Sequence, residues 1–346
     1  MEPRIVVDVM GADRPPAELA GGAIRAATAL PIQLILVAHR PLLPPLPPGV
    51  EVLECPPAPE HEEGATRVAR REDTSIARGL DALRRGEADA FLSPGSTGAV
   101  VSAAILRLGR LPGVVRPGLC ASLPTLRGEV LLIDAGATAD SKPAHLVQFA
   151  DLGAAYAQAV LGIPSPTVGL LNIGTEHGKG DALTREAHPL LARTAGFVGN
   201  VEPHTILTER PVDVVVAGGF SGNLFLKAVE GGAEAVLAMV KGALRSSARA
   251  RLGALLSRRA LRAVAQSLRY EEHNAAPLLG VNGLVTVAHG RSDAAAIEGA
   301  LRRTFQASRS QIVEVLRSRL SSPPAEPGLA NPGDPRVPSA TPTAAA

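Results

Sequence analysis

Tryptophan is absent from the 346 residues, and other aromatics are scarce, with two Tyr and six Phe. The interior is therefore expected to pack on aliphatic side chains and alanine. Cysteine is rarer still: Cys55 lies beside prolines and Cys120 in an apolar stretch. That usage excludes a disulfide framework and reads as two unpaired thiols in a cytosolic protein. No run of about eighteen apolar residues is present to span a bilayer. The start, "MEPRIVVDVMGAD", lacks the basic region and apolar core of a secretory signal. Large net charge is missing as well, and at +2 the balance implies no nucleic-acid partner.

Charge distribution says more than its sum. Between Ala235 and Tyr270 there is no Asp or Glu, yet Lys241, Arg245, Arg249, Arg251, Arg258, Arg259, Arg262 and Arg269 fall there. Elsewhere, short Val/Ile/Leu runs alternate with Ala/Leu-rich helical patterns. Strands are expected at Arg4–Val9, Gln33–Val37, Val50–Leu53, Asp89–Ser93, Val130–Asp134, Val168–Ile173, Val212–Ala217 and Leu284–Val287. Helices are expected at Pro16–Leu30, Thr74–Arg85, Thr97–Leu108, Lys142–Leu161, Ala182–Arg193 and Gly222–Lys241. The alternation predicts an α/β fold, a mainly parallel sheet between helical layers. Two successive helical patterns, about 235–248 and 254–270, interrupt it and predict a projecting hairpin of the kind that pairs subunits. Residues 1–320 read as one domain with this arm, and 321–346, rich in Pro, Ala and Ser, as a disordered tail.

The carboxyl ends of five strands run into glycine-rich turns: "DVMGADRPP", "SPGSTG", "DAGATADSKP", "NIGTEHGKG" and "GGFSGN". On one sheet they would share the edge where open α/β folds bind ligands. Glycine allows close backbone approach, and helix starts offer free N–H groups, so an anionic, phosphate-bearing ligand is expected. The P-loop pattern of nucleotide-binding proteins does not fit the fourth of these turns. Gly174 and Gly178 enclose three residues rather than four, and Lys179 precedes Gly180 instead of Ser or Thr. The dinucleotide G-x-G-x-x-G and the lipase-type G-x-S-x-G are missing too. Histidines 145, 177, 188, 204, 273 and 289 show no metal-ligand spacing. Structural or exposed roles are expected for them, with His177 set apart by its place in a turn. No metal and no cofactor are expected.

At these turns the chain resembles the bacterial phosphate acyltransferase family, from about residue 4 to 305. The matching blocks include "VDVMGADRPP", "GEADAFLSPGSTGAV", "LIDAGATADSKPAHLVQFADLGAAYA", "VGLLNIGTEHGKGDALTREAHPLL", "GGFSGNLFLKAVEG" and "APLLGVNGLVTVAHGRSDAAAI". The resemblance implies a three-layer α/β/α fold related to phosphate acetyltransferases and isopropylmalate-type dehydrogenases. It also implies a homodimer built through the projecting helices, and cytoplasmic placement with peripheral attachment to the cell membrane. The implied reaction takes acyl-acyl-carrier protein and inorganic phosphate to acyl phosphate and free carrier protein, for phospholipid synthesis. A membrane glycerol-3-phosphate acyltransferase is the implied downstream partner.

In that scheme Lys179 is the cation near phosphate or oxyanion, and Asn223 a positioning amide. Asp8, Gly11, Ser93, Gly95, Ser96, Thr97, Gly98, Asp134, Gly136, Lys142, Gly174, Gly178, Gly219, Ser221 and Gly222 shape the anion pocket. Arg245, Arg249, Arg251, Arg258, Arg259 and Arg262, with Leu252, Leu255 and Leu256 at the bend, face carrier protein or an anionic membrane. The chain departs from the family pattern at Arg14, Ser96, Gly218 and Asn274. Two other readings therefore stay open: a carrier-protein or membrane-binding homologue with impaired turnover, and a short-chain acyl-coenzyme A:phosphate transferase.

Overall fold

The computed structural model describes residues 2–57, 65–267 and 275–321. The expected tail from 322 onward, the end of the second arm pattern, His273 and Asn274 lie outside the described residues. Strands among the described residues are β1 (Arg4–Asp8), β2 (Gln33–Ala38), β3 (Glu51–Glu54), β4 (Ala90–Ser93), β5 (Gly118–Leu119) and β6 (Ala121–Thr125). They continue with β7 (Gly128–Ile133), β8 (Val168–Leu171), β9 (Phe197–Val201), β10 (Val214–Val216), β11 (Ala276–Leu279) and β12 (Leu284–Val287). The helices are α1 (Pro16–Ala29), α2 (Ala65–Arg70), α3 (Ser75–Arg84), α4 (Thr97–Leu108), α5 (Pro143–Leu161) and α6 (Ala182–Leu191). After them come α7 (Pro203–Glu209), α8 (Gly219–Arg245), α9 (Ala248–Leu256), α10 (Arg258–Ser267), α11 (Ala294–Arg309) and α12 (Ile312–Ser321).

The strands form two sheets, ordered β3-β2-β1-β4-β12-β11-β5 and β6-β7-β10-β8-β9. This corrects the single sheet on which all five turns were expected. In the first, β3, β2, β1, β4 and β12 run parallel, while β11 opposes β12 and β5. In the second, β7, β10, β8 and β9 run parallel and β6 opposes β7. The chain crosses between sheets at Gly118–Thr125, whose first two residues pair with β11 and whose last five pair with β7.

Alternation along the parallel strands buries both faces. Ile5, Val7, Leu34, Leu36, Leu92, Leu131, Ile133 and Val214 join one apolar cluster, and Val6, Ile35, Val37, Phe91, Leu132 and Val215 the other. Each cluster draws on both sheets, so the helical layers cover one continuous core on either side. This is the expected three-layer arrangement. Strands read from the sequence match closely; β5, β6, β9 and β11 were not foreseen. Pro124 and Pro277 break the apolar pattern in two of these, and Gly199 sits at an irregular register in a third.

The arm differs in detail. The pattern at 235–248 is the second half of α8, which runs unbroken for 27 residues because no proline interrupts it. The second pattern divides at Ser257 into α9 and α10, and the Ser247 hydroxyl caps α9 by accepting from Ala250 N–H (3.1 Å). From Gly231 to Arg262 no residue is buried, so this segment stands away from the core.

Phe91 is fully buried, and a Cβ at Gly79 of α3 would collide with its ring. Phe91→Ala is expected to cost about 3–5 kcal/mol in urea unfolding. Gly79→Ala alone should also destabilise. The double variant should be more stable than the sum of the two losses, because the new methyl enters space the ring has left; strict additivity would refute this contact.

Candidate functional site

The turns of the first sheet are held from beneath. Asp8 ends β1 with its carboxylate fully buried. Its Oδ1 accepts from the Met10 and Gly11 amides (2.8 and 3.1 Å), and its Oδ2 from the Ser93 hydroxyl (2.7 Å). Ser93 Oγ accepts in turn from Gly95 N–H (3.1 Å). Burial pushes the Asp8 carboxyl up from the ordinary range, against the pull of these hydrogen bonds. One carboxylate thus fixes two turns at once. They touch so closely that a Cβ on Gly11 would stand 2.9 Å from Gly95 Cα. Beside them Ser96 and Gly98 are exposed, and Thr97 opens α4 half-buried. A third turn, after β12, joins through Asp13 N–H donating to Gly290 O (2.9 Å).

Asp134 plays the same part in the second sheet. It is fully buried, and its carboxylate accepts from the amides of Leu119, Gly136, Ala137 and Thr138 at 2.7–3.0 Å. Burial again pushes the carboxyl up. Over this turn lies the start of α8. A Cβ on Gly222 would collide with the Asp134 carbonyl, and one on Gly219 with the Thr138 carbonyl. Ser141 Oγ accepts from Gly219 N–H (3.2 Å), which ties the turns together. Gly136, at φ +132°, faces Asn223. Lys142 is exposed, and its N–H donates to His145 Nδ1 (3.1 Å) to close the first turn of α5. The Ser221 hydroxyl is directed onto the Gly218 carbonyl (3.0 Å).

The two groups of turns face one another across a cavity of about 60 Å³. Thr97 and His289 line it from the first sheet, and Asn223, Lys227 and Glu230 from one face of α8. Lys227 Nζ lies 2.9 Å from Glu230 Oε2 and 3.0 Å from His289 Nε2. Burial, and then the Lys227 charge, hold His289 below its ordinary range. Glu230 is 7% exposed and its Oε1 has no partner. Among the described residues no three His, Cys, Asp or Glu side chains gather as a metal-holding group.

Of the expected residues, Thr97 and Asn223 reach this cavity, and Asp8, Ser93, Asp134 and the glycines of four turns build the loops around it. Lys179 does not line it. Its loop is held by two buried amides: Asn172 Nδ2 donates to Lys179 O (3.1 Å) and Asn200 Nδ2 to Glu176 O (2.9 Å). The Lys179 side chain is exposed, Gly178 is exposed, and Gly174 is buried beneath Glu176 and Lys179. This loop meets the others through Leu183, which packs at Gly218.

His289, expected to be structural or exposed, is instead a wall of the cavity. Two signals were available. The Leu284–Val287 strand runs into its own glycine turn, "VAHGRSD", and Lys227 and Glu230 follow Asn223 at helical spacing. His177 packs at a tilt against His188 with ring centroids 4.2 Å apart, away from the cavity lining. The arm arginines Arg245, Arg249, Arg251, Arg258, Arg259 and Arg262 are exposed, and Leu252, Leu255 and Leu256 are 60–81% exposed.

The family described as "Fatty acid synthesis protein" matches residues 3–315. A phosphate acyltransferase of Desulfitobacterium hafniense is 42% identical over 325 residues, covering 92% of this chain and 97% of that protein. One from Thermus thermophilus is 44% identical over 325 residues, covering 92% and 99%. One from Thermobifida fusca is 45% identical over 306 residues, covering 85% of each chain. Among solved structures, a phosphotransacetylase from Streptococcus pyogenes aligns with a TM-score of 0.57 at 15% identity, covering 90% of this chain and 94% of its own. A branched-chain phosphotransacylase from Enterococcus faecalis aligns at 0.57 and 13% identity, covering 88% and 99%. These two show a shared fold. Identity above 40% along nearly the whole length shows more: this chain belongs to the phosphate acyltransferase family of acyltransferase enzymes.

Proposed function

We propose that this protein moves the acyl group of an acyl-acyl-carrier protein onto inorganic phosphate, giving acyl phosphate and free carrier protein for glycerolipid synthesis. The observation that carries this reading is the convergence of turns from both sheets on one small, largely apolar cavity into which Thr97, Asn223, Lys227, Glu230 and His289 bring polar groups. A phosphate oxygen held there attacks the thioester carbonyl. The new C–O bond forms, negative charge develops on the carbonyl oxygen, the C–S bond then breaks, and the leaving thiolate takes up the hydrogen that the phosphate carried to give the carrier thiol. Holding the nucleophile in place supplies much of the rate, and fixed donors such as the Asn223 amide stabilise the oxyanion. The enzyme's own thiols are unsuited to a covalent relay. Burial pushes Cys55 up to about 11 and Cys120 higher, and neither lines the cavity.

The exposed arm suits the rest of the reading. Its arginines complement an acidic carrier protein or an anionic membrane surface, and Leu252, Leu255 and Leu256 can enter the edge of a bilayer. No described helix is long and apolar enough to cross one. Pairing of two arms would make a homodimer, and a membrane glycerol-3-phosphate acyltransferase would take the product.

Purified protein is expected to release free carrier from a long-chain acyl-acyl-carrier protein only when phosphate is present, and faster than it releases coenzyme A from the matching thioester. Absence of phosphate-dependent release from either donor overturns the proposal. Asn223→Ala should lower kcat/KM by about 10²-fold; a rate near wild type removes the amide from the chemistry. Replacing Leu252, Leu255 and Leu256 with Ser should abolish co-flotation with phosphatidylglycerol vesicles while turnover in solution continues. Unchanged flotation would argue against membrane attachment through this bend.

A further inference from the structure

Hydrogen bonding in the cavity does not close. Arg291 N–H donates to His289 Nδ1 (3.2 Å), and a neutral ring that keeps this bond carries its proton on Nε2. That N–H points at the Lys227 ammonium, 3.0 Å away. Two donors therefore face each other, and the contact is favourable only with an acceptor to share. Glu230 presents the opposite mismatch. Its Oε2 accepts from Lys227, but Oε1 is buried and accepts from nothing. A buried acceptor without a donor is costly, whereas Lys227, half exposed, can turn its other hydrogens to water.

The other charges facing His289 do not resolve this. Glu234 of α8 pairs with Arg291 of the histidine's own turn (3.1 Å), and Asp13 lies beside Gly290 across the neighbouring turn. The imidazole stays uncharged because burial, and then Lys227, oppose its protonation. Asn223 stands one helical turn before Lys227, and Thr97 lies opposite, so further polar groups surround the same space. The space is about 60 Å³.

We propose that Lys227, His289 and Glu230 form a site selective for hydrogen phosphate, in which Glu230 recognises the hydrogen the anion carries. One phosphate oxygen fits between Lys227 Nζ and His289 Nε2 and accepts from both. The P–O–H group of the same anion donates to Glu230 Oε1 once the side chain shifts to open that buried atom to the cavity. Each unmet group is then satisfied. Sulfate, equal in shape, has no hydrogen at neutral pH and would set an oxygen against the carboxylate. A site built to bond a hydrogen strongly rejects an isostere lacking it. Glu230 is thus the specificity-determining residue, and Lys227 and His289 the anion-binding pair. The assignment deepens the proposed acyl transfer by naming the groups that select its nucleophile, but binding can be measured without any transfer.

The test is calorimetric titration of the full chain with inorganic phosphate, sulfate and phenyl phosphate. Wild type should bind phosphate about 10- to 100-fold more tightly than sulfate. Glu230→Gln, whose amide can donate to either anion, should bring the two within about threefold. Lys227→Met should weaken both. Equal affinity of wild type for phosphate and sulfate overturns the proposal whether or not the variants fold. So does a folded Glu230→Gln protein, verified by its circular-dichroism melt, that keeps the wild-type preference. Tighter binding of phenyl phosphate than of inorganic phosphate would overturn the assignment to the free anion. Failure of acyl transfer with the anion preference intact would sink the proposed function and leave this site standing.

Discussion

Asp8 and Asp134 end strands in different sheets, yet both solve one problem in one way: a carboxylate removed from water is solvated by the amides of the turn that follows it. Leaving such a group unpaired in the interior costs several kcal/mol, so the amides cannot leave without a large penalty. The turns are therefore held in shape by a demand from inside the core rather than by contacts at the surface. Glycine at 11, 95, 219 and 222 lets the chain come close enough to meet that demand. The cavity walls follow from it. Thr97 and Asn223 are positioned because the backbone beneath them has little freedom, and the side chains that meet across the gap inherit that rigidity.

Much of this was legible in the chain. Unbroken runs such as "LLI" and "VVV" mark strands buried on both faces, and the turns after them were found because strand ends in an α/β fold carry glycine and polar residues together. Two features were hidden for physical reasons. The division into two sheets depends on how Gly118–Thr125 pairs, and partner choice leaves no periodic mark in a segment containing Pro124. The cavity's charged residues were missed because Lys227 and Glu230 lie on α8 beyond its glycine turn, where lysine and glutamate usually indicate a solvated face. Only the approach of His289 from the other sheet gives them a second meaning. Lys179 shows the converse. Its glycines marked the turn in the sequence, while the bonds that hold the loop come from Asn172 and Asn200, neither of which resembles a motif.

Family membership and site geometry answer different questions here. Identity along the whole length places the chain among phosphate acyltransferases. The solved phosphotransacetylases at 13–15% identity add the architecture and nothing of its chemistry. The departures at Arg14 and Ser96 fall on exposed positions, and Gly218 is tucked against Leu183 as the cap of α8. None of the three removes a group that lines the gap.

The length of α8 has a mechanical consequence. At 27 residues it is a rod of about 40 Å, with Asn223 and Lys227 near one end and the arm at the other. A stiff rod converts rotation into displacement. A tilt of about 5° about its buried first turns would swing the far end through roughly 3 Å, by simple leverage on that length. The reverse also holds, so whatever grips the arm exerts a torque on the helix that carries the cavity's amide and ammonium. Surface and chemistry share a single lever arm.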